Sequence, residues 1–401
     1  MTTTKLDRPT LDIDPFSDEA LNNPEETDRA VREAGPIVWI PKYGFWATGR
    51  DAMIREVFTD WETFSSAFGT GMTNVKREEP WRKPSVILEA DPPIHTPNRK
   101  VLTRVLSVKA LRQLEETFRE TAESMVDELV EKGRFDAAEG LAFAFPFKVL
   151  PDSVGMRKEG REHLMPYSTL NFNAMGPRNE RYFAAREVVE KMGSFTYVGE
   201  QMARENLEPG GFGQEIYDAA DKGEISHEDA GMLVRAFISA GIDTTMLGIG
   251  LTLHALIERP EQWEILHNDP SLAKFAFEET LRFAPSSPII GRTTAKATTF
   301  HGVELGAEEK VITFLAAGNR DPEKWERPEE FDILRKPVGH LAFGYGLHAC
   351  VGQMVARLEA AAVLKALAER VKTIEYDGTP ERFINNWLRG YASQPVKVTA
   401  A

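Results

Sequence analysis

A chain of 401 residues with one cysteine must fold without disulfide staples. This one sets its cysteine, Cys350, inside Phe343-Gly344-Tyr345-Gly346-Leu347-His348-Ala349-Cys350-Val351-Gly352. A lone thiol cannot bridge within the chain, and it cannot build a cysteine-rich zinc or iron–sulfur site. The fold must therefore rest on buried apolar surface, which a chain of this length can supply in one large core. Three glycines and a histidine around the sulfur leave three uses open. It is a buried bystander, a nucleophile, or a single thiolate ligand to a metal carried by a cofactor.

Composition narrows the setting. Hydrophobic residues make up 42% and charged residues 27% of the chain, the balance of a globular protein. A formal charge of −14 argues against general nucleic-acid binding, which needs a basic footprint. The N-terminus is polar and lacks the apolar segment of a signal peptide. The most apolar run, Leu141 to Leu150, is interrupted by Pro146 and Lys148 and is too short to span a membrane. Together with the single thiol, these features predict a cytoplasmic protein with no membrane association.

No repeat or low-complexity linker divides the sequence, so residues 1–401 are expected to form one domain, with residues 1–11 as a disordered tail. Residues 36–49 have the β-branched and aromatic runs of a β-hairpin. Residues 97–132 carry a charged helical pattern, and 228–258 a long helix rich in Ala, Leu and Ile. Ser239-Ala240-Gly241-Ile242-Asp243-Thr244-Thr245 interrupts that helix with poor helix formers, and its hydroxyls can bond back to carbonyls and bend it. Asp269-Pro270 opens another helix, which Pro285 stops. Residues 310–318 suggest a buried strand and 319–349 a long loop. The helical period returns after Cys350 with Met354, Leu358, Ala361 and Leu364. The expected fold is mainly α with small β-sheets.

A helix N-terminus after Cys350 favours the thiolate, and the glycines let the backbone approach a flat partner. The pattern Phe-x-x-Gly-x-His-x-Cys-x-Gly resembles the haem-binding loop of the cytochrome P-450 superfamily. The resemblance implies the fold of that family, with a long central helix over the haem, and a thiolate from Cys350 on the iron of haem b. Three further segments resemble family motifs in the same order. Glu279-Thr280-Leu281-Arg282 is similar to the family's Glu-x-x-Arg helix, with both side chains on one helical face. With Asn319-Arg320-Asp321-Pro322 and Pro328-Glu329-Glu330-Phe331-Asp332, it implies a structural ion-pair network of Glu279, Arg282 and Arg335. Ala240-Gly241-Ile242-Asp243-Thr244-Thr245 resembles the oxygen-activation motif. There, small residues leave room above the iron, and Asp243 and Thr244 form an acid–alcohol proton relay. His95-Thr96-Pro97-Asn98-Arg99 resembles the segment that binds haem propionates. His348 and Arg292 are implied as further partners, and Phe343, Gly344, Gly352 and Ala240 as other haem neighbours.

The resemblance spans residues 12–398 and is that of a bacterial type without a membrane anchor. It implies a monomer receiving electrons from an iron–sulfur ferredoxin and an NAD(P)H-dependent ferredoxin reductase. Arg99, Lys100, Arg104 and Lys109 offer a basic face to an acidic ferredoxin.

The segments 81–93, 171–177 and 234–239 resemble the branch that oxidises para-substituted benzoic acids. By position, Arg82, Ser85, Arg235 and Ser239 surround the substrate carboxylate, Leu88, Phe172 and Ile242 sandwich the ring, and Met175 and Ile290 line the remainder. Ala236 replaces a second carboxylate-binding serine, Met175 replaces an aromatic residue, and Ser286, Ser287, Ile289 and Ile290 replace bulkier groups. The implied activity is O2-dependent hydroxylation or O-demethylation of a substituted benzoate in a reshaped pocket. A peroxide-driven peroxygenase, a haem-based ligand sensor and a cysteine-nucleophile hydrolase are the rival readings.

Overall fold

The computed structural model describes residues 8–401. The expected hairpin forms from β1 (Val38–Ile40) and β2 (Phe45–Thr48), with Trp39 opposite Trp46. It continues into a five-stranded sheet with β3 (Phe64–Ser65), β4 (Ile289–Thr294) and β5 (Lys310–Phe314), in the order β1-β2-β5-β4-β3. The parallel pairing of β2 with β5 joins segments more than 260 residues apart, which no local sequence signal announces. Residues 8–11 of the expected disordered tail are instead tied down. Trp39 N–H donates to the Pro9 carbonyl and Leu11 N–H to that of Trp39. The rest of that tail, residues 1–7, lies outside the described residues.

The charged pattern of 97–132 resolves into two helices, α1 (His95–Val105) and α2 (Val108–Lys132). Ser107 separates them because its Oγ accepts from Ala110 N–H and caps the second. Following α3 (Leu164–Asn173), the expected long central helix is broken into α4 (His227–Ala240) and α5 (Asp243–Ile257). Thr244 and Thr245 hydroxyls donate to the carbonyls of Ala240 and Gly241, at 3.0 and 3.4 Å, which bends a helix. At Gly241 a Cβ would sit 2.7 Å from the Phe237 oxygen and 2.8 Å from Leu150, so a glycine is needed. By length and hydropathy, 227–257 would cross a membrane, but 78% of its most apolar window is buried in the protein's own core.

The Asp269-Pro270 signal starts a short 3-10 turn that leads into α6 (Ala273–Phe283). The strand expected over 310–318 stops at Phe314, and Leu315–Gly318 turns helical. After the loop bearing Cys350, α7 (Gln353–Arg370) packs along α2 and α6.

Glu279 and Arg282, one turn apart on α6, form a fully buried two-pronged ion pair with both N–O distances at 2.8 Å. Arg335 Nε adds a contact of 3.1 Å to Glu279. The remaining Arg282 donors reach the carbonyls of Asn319, Pro328 and Glu330, and Asp332 N–H donates to Glu279. Every charge here has a partner, so removing one leaves another stranded. Glu279→Gln should lower the unfolding free energy by about 3–5 kcal/mol in chemical denaturation of the holoprotein.

Candidate active site

Cys350 is held by a closed turn. Its N–H donates to the Phe343 carbonyl at 2.7 Å, and Gly344 N–H donates to Leu341 at 2.7 Å. Gly344 and Gly346 adopt φ of 70° and 68°, and a Cβ on Gly346 would come within 2.9 Å of the Phe58 oxygen. The sulfur lines a cavity of about 300 Å³, and its accessible surface belongs to that cavity wall. Surrounding protein pushes the thiol pKa up. The amides of Gly352 and Gln353 and the cations of Arg99 and Arg357 act against that shift. Among the described residues no cluster of three His, Cys, Asp or Glu side chains could hold a metal ion, so the sulfur is a lone donor.

Beside the sulfur, basic groups gather with too few acids. Arg99, Arg292 and His348 line the cavity, and the His95 ring lies 4.5 Å from that of His348. Both nitrogens of His95 and both of His348 are buried without a hydrogen-bond partner. Asp91 Oδ1 is 3.6 Å from His348 Nε2, too far for a hydrogen bond, and it accepts from Ser66 N–H, while Oδ2 accepts from the Ser65 hydroxyl. Burial, and then the charges of His348 and Arg99, lower His95 to about 4, while burial lowers Arg292 to about 10. Unpaired buried cations are costly, and two carboxylates placed among them would meet the vacant donors. The arrangement fits the two propionates of haem b: Cys350 would hold the iron, and Arg99, Arg292, His348 and His95 the propionates. Phe343, Gly344, Gly352 and Ala240 also line the cavity.

Where α4 gives way to α5, Ala240, Gly241, Thr244 and Thr245 line the same cavity. Asp243 does not. It turns toward Ser168 and Thr169 on α3, buried, and neither carboxylate oxygen has a well-formed hydrogen bond. Burial raises it to about 7, and the nearby Ser168 and Thr169 hydroxyls offset part of the rise. Ile242 is likewise not on the wall. It packs into the main core, because the helix break shifts the phase of these residues.

Further along the wall lie Arg82, Ser85, Leu88, Phe172, Met175, Ser239 and Ile290, with Ala236, Ser286 and Ser287. Arg235 is buried behind this surface, donating to the Lys83 carbonyl at 2.7 Å. Arg82 donates to the same carbonyl and forms a two-pronged pair with Glu89 at 3.0 and 3.3 Å. Sequence reasoning missed Glu89, since a spacing of seven along an irregular loop implies no contact. It also missed Lys310, whose ammonium is held by the Phe68 and Gly69 carbonyls and lowered to about 7 by burial. The basic face expected at the proximal side loses Arg99, which turns inward to the Ala349 carbonyl, while Arg104 pairs with Glu224.

One sulfur facing an apolar cavity rimmed by carboxylate-seeking cations marks the class of haem-thiolate proteins. Comparison with known proteins agrees. The Cytochrome P450 family matches residues 200–399. The chain is 45% identical to cytochrome p450 CYP199A2 of Rhodopseudomonas palustris, across 98% of this chain and 95% of that protein. It is 31% identical to cytochrome P450 107B1 of Saccharopolyspora erythraea, across 78% and 76% of the two chains. The solved structure of cytochrome P450 CYP109Q5 from Chondromyces apiculatus is similar with a TM-score of 0.82 and 27% identity, covering 97% of this chain and 99% of that one. The chain belongs to the cytochrome P450 family and is a haem b monooxygenase.

Two outcomes follow from the charges. Arg292→Leu removes a charge-assisted hydrogen bond, worth about 1.5–3 kcal/mol, and should speed haem transfer to apomyoglobin at least about tenfold. For Asp243, the folded pKa of about 7 lies above the ordinary 3.8, so the native state keeps a proton that the unfolded chain releases. Stability is lost as pH rises from about 4 to 7, and the loss is complete above that. Asp243→Asn should therefore unfold at progressively higher denaturant than the parent as pH rises from 5, with the gain levelling above pH 7 at no more than about 4 kcal/mol.

Proposed function

We propose that this monooxygenase oxidises a small aromatic carboxylic acid, a substituted benzoate, by hydroxylation or O-demethylation. The observation that carries this reading is the charge at and behind the cavity wall beside Ser85. Two buried guanidiniums, Arg82 and Arg235, share the Lys83 carbonyl, and the one carboxylate beside them, Glu89, pairs with Arg82. Burial, and then the charge of Arg82, lower Arg235 to about 10, so a second anion there would relieve a real electrostatic cost. Ser85 supports the same conclusion. Its oxygen accepts from Ile87 and Leu88 N–H, at 3.3 and 3.2 Å, which leaves its proton free to donate to a carboxylate. Ser239 is less suited, because its hydroxyl already donates to the Arg235 carbonyl. Leu88, Phe172, Met175 and Ile290 provide apolar walls for a ring.

Bound haem supplies an iron that activates O2 and, with two electrons, places one oxygen atom in the substrate. The chain's residues bind and orient the substrate and move protons. Thr244 offers its Oγ at the cavity wall, now donating to the Ala240 carbonyl. Asp243, one residue earlier, faces Ser168 and Thr169 on α3, and burial raises its carboxyl to about 7, where it can give or take a proton near neutral pH. Hydroxylation of a methoxy carbon gives a hemiacetal, which collapses to a phenol and formaldehyde.

Electrons come from an acidic iron–sulfur ferredoxin, itself reduced by an NAD(P)H-dependent reductase, and the enzyme works as a single-domain cytoplasmic monomer. The outer face of the thiolate loop supports ferredoxin docking. A depression of about 460 Å³ there is lined by Arg55, Lys336, Val338, Tyr345 and Arg357. Val338 and Tyr345 are exposed, and Lys100 and Lys109 add charge on α1 and α2.

Titration of the holoenzyme with 3- and 4-methoxybenzoate should give a spin-state shift, with formaldehyde released on turnover. The corresponding amide should bind more weakly. Arg235→Ala removes a positive charge behind the wall and should weaken the acids by about tenfold, while leaving the amide nearly unchanged. Equal binding of acid and amide to the parent enzyme would rule the reading out.

A further inference from the structure

We propose that Glu89 is a specificity-determining residue: it holds the substrate anchor to a single unpaired positive charge, so that aromatic monocarboxylates are selected over dicarboxylates. This rests on the carboxylate reading above.

The cluster is small and its connections are complete. Glu89 takes both terminal nitrogens of Arg82, and its Oε2 also accepts from Ser85 N–H at 2.6 Å. Arg82 Nε donates to Asn171 Oδ1 at 3.0 Å, and Asn171 donates onward to the Ser239 carbonyl. The Arg82 and Glu89 side chains are only 8% and 11% exposed. Arg235, by contrast, has no carboxylate within ion-pair distance among the described residues, and its one donated bond goes to the Lys83 carbonyl. Other ionisable groups nearby leave the balance unchanged. Burial raises the Tyr167 phenol, so it stays neutral, and the Lys83 ammonium pairs with Glu228 at the surface. Lys310 is turned to the Phe68 and Gly69 carbonyls, and burial lowers it to about 7, so it is mostly neutral at pH 7.5. Two cations and one anion therefore leave one positive charge for the ligand.

That balance has a direct consequence for recognition. A monocarboxylate neutralises the cluster. A second carboxylate on the same ring finds no free cation, because Glu89 occupies the fork of Arg82, and it meets the charge of Glu89 at low dielectric. Glu89 thus acts as a built-in competitor for Arg82. It also orients Ser85 through the backbone, linking charge selection to a hydroxyl with a free proton.

The test uses the holoenzyme and calorimetric titration with 4-methoxybenzoate, 4-methoxyphthalate and 4-methoxybenzamide at pH 7.5. In the parent enzyme the monoacid should bind better than both the amide and the diacid. Glu89→Gln keeps the shape and removes the charge, and should raise the diacid-to-monoacid affinity ratio at least about tenfold, the size of one added unit charge at a partly buried site. The double variant Glu89→Gln/Arg82→Gln restores the original charge count and should bring the ratio back toward the parent value. A ratio unchanged by Glu89→Gln, or one the double variant does not restore, overturns the proposal. If Glu89→Gln yields no holoenzyme, Arg82→Gln alone should cut the acid-over-amide preference about tenfold, and an unchanged preference overturns it equally. A parent enzyme that binds amide and acid alike sinks the carboxylate reading instead, so the two failures are distinguishable.

Discussion

The buried pair of Glu279 and Arg282 anchors the presentation of the thiolate. From Arg282 a hydrogen bond runs to the Asn319 carbonyl. The Asn319 side chain donates to Leu281 and accepts from Leu341 N–H at 2.6 Å. Leu341 then accepts from Gly344, and Phe343 accepts from Cys350. The sulfur is thus tied to α6 through a short series of bonds, most of them within the buried interior. A buried ion pair adds little net stability over an apolar substitute, but its geometry is demanding, and here that demand fixes the long loop from 319 to 349.

Charge is unevenly distributed inside a protein that is acidic overall. The cavity collects Arg82, Arg99, Arg292, His348 and, behind its wall, Arg235. Burial depresses the pKa of Arg99, Arg235, Arg292, His95 and His348, so each is held at a cost in the protein alone. The propionates of haem would answer that cost beside the sulfur, and the carboxylate of the proposed substrate would answer it beside Arg82. Acid groups of the chain itself are used sparingly. Asp91 stands beside the histidines, and Glu89 stands beside Arg82. Asp243 is set apart from both, neutralised by burial rather than by a partner.

Much of this was legible before any fold was known. The lone cysteine with its glycines, the Glu-x-x-Arg spacing and the weak helical stretch at 239–245 are local patterns, and local geometry reproduces them. Where reading failed, the reason was tertiary. The resemblance puts Asp243 in a relay with Thr244 and Ile242 against the substrate ring, and neither side chain lines the cavity. The helix break at Gly241 rotates them toward α3 and the core. Residues 8–11 have no strand pattern of their own, and the edge of β1 together with the Arg8–Glu309 ion pair orders them. Arg99 is expected both at the propionates and on the outer basic face, and its inward turn to the Ala349 carbonyl removes it from the second.

The sequence by itself determined the local patterns: one thiol among glycines, a long helix weakened at 239–245, and arginines ahead of an apolar stretch, whose resemblance to family motifs implied the chemistry. These follow from residue type and short spacing, which act over a turn or two of chain. Tertiary structure alone decided the charge balance. Arg82 and Glu89 meet across one irregular loop and Arg235 comes from α4, and the pairing of the first two leaves the third without an acid. Electrostatic interactions in a buried site depend on distance and dielectric, and neither exists until the chain has folded.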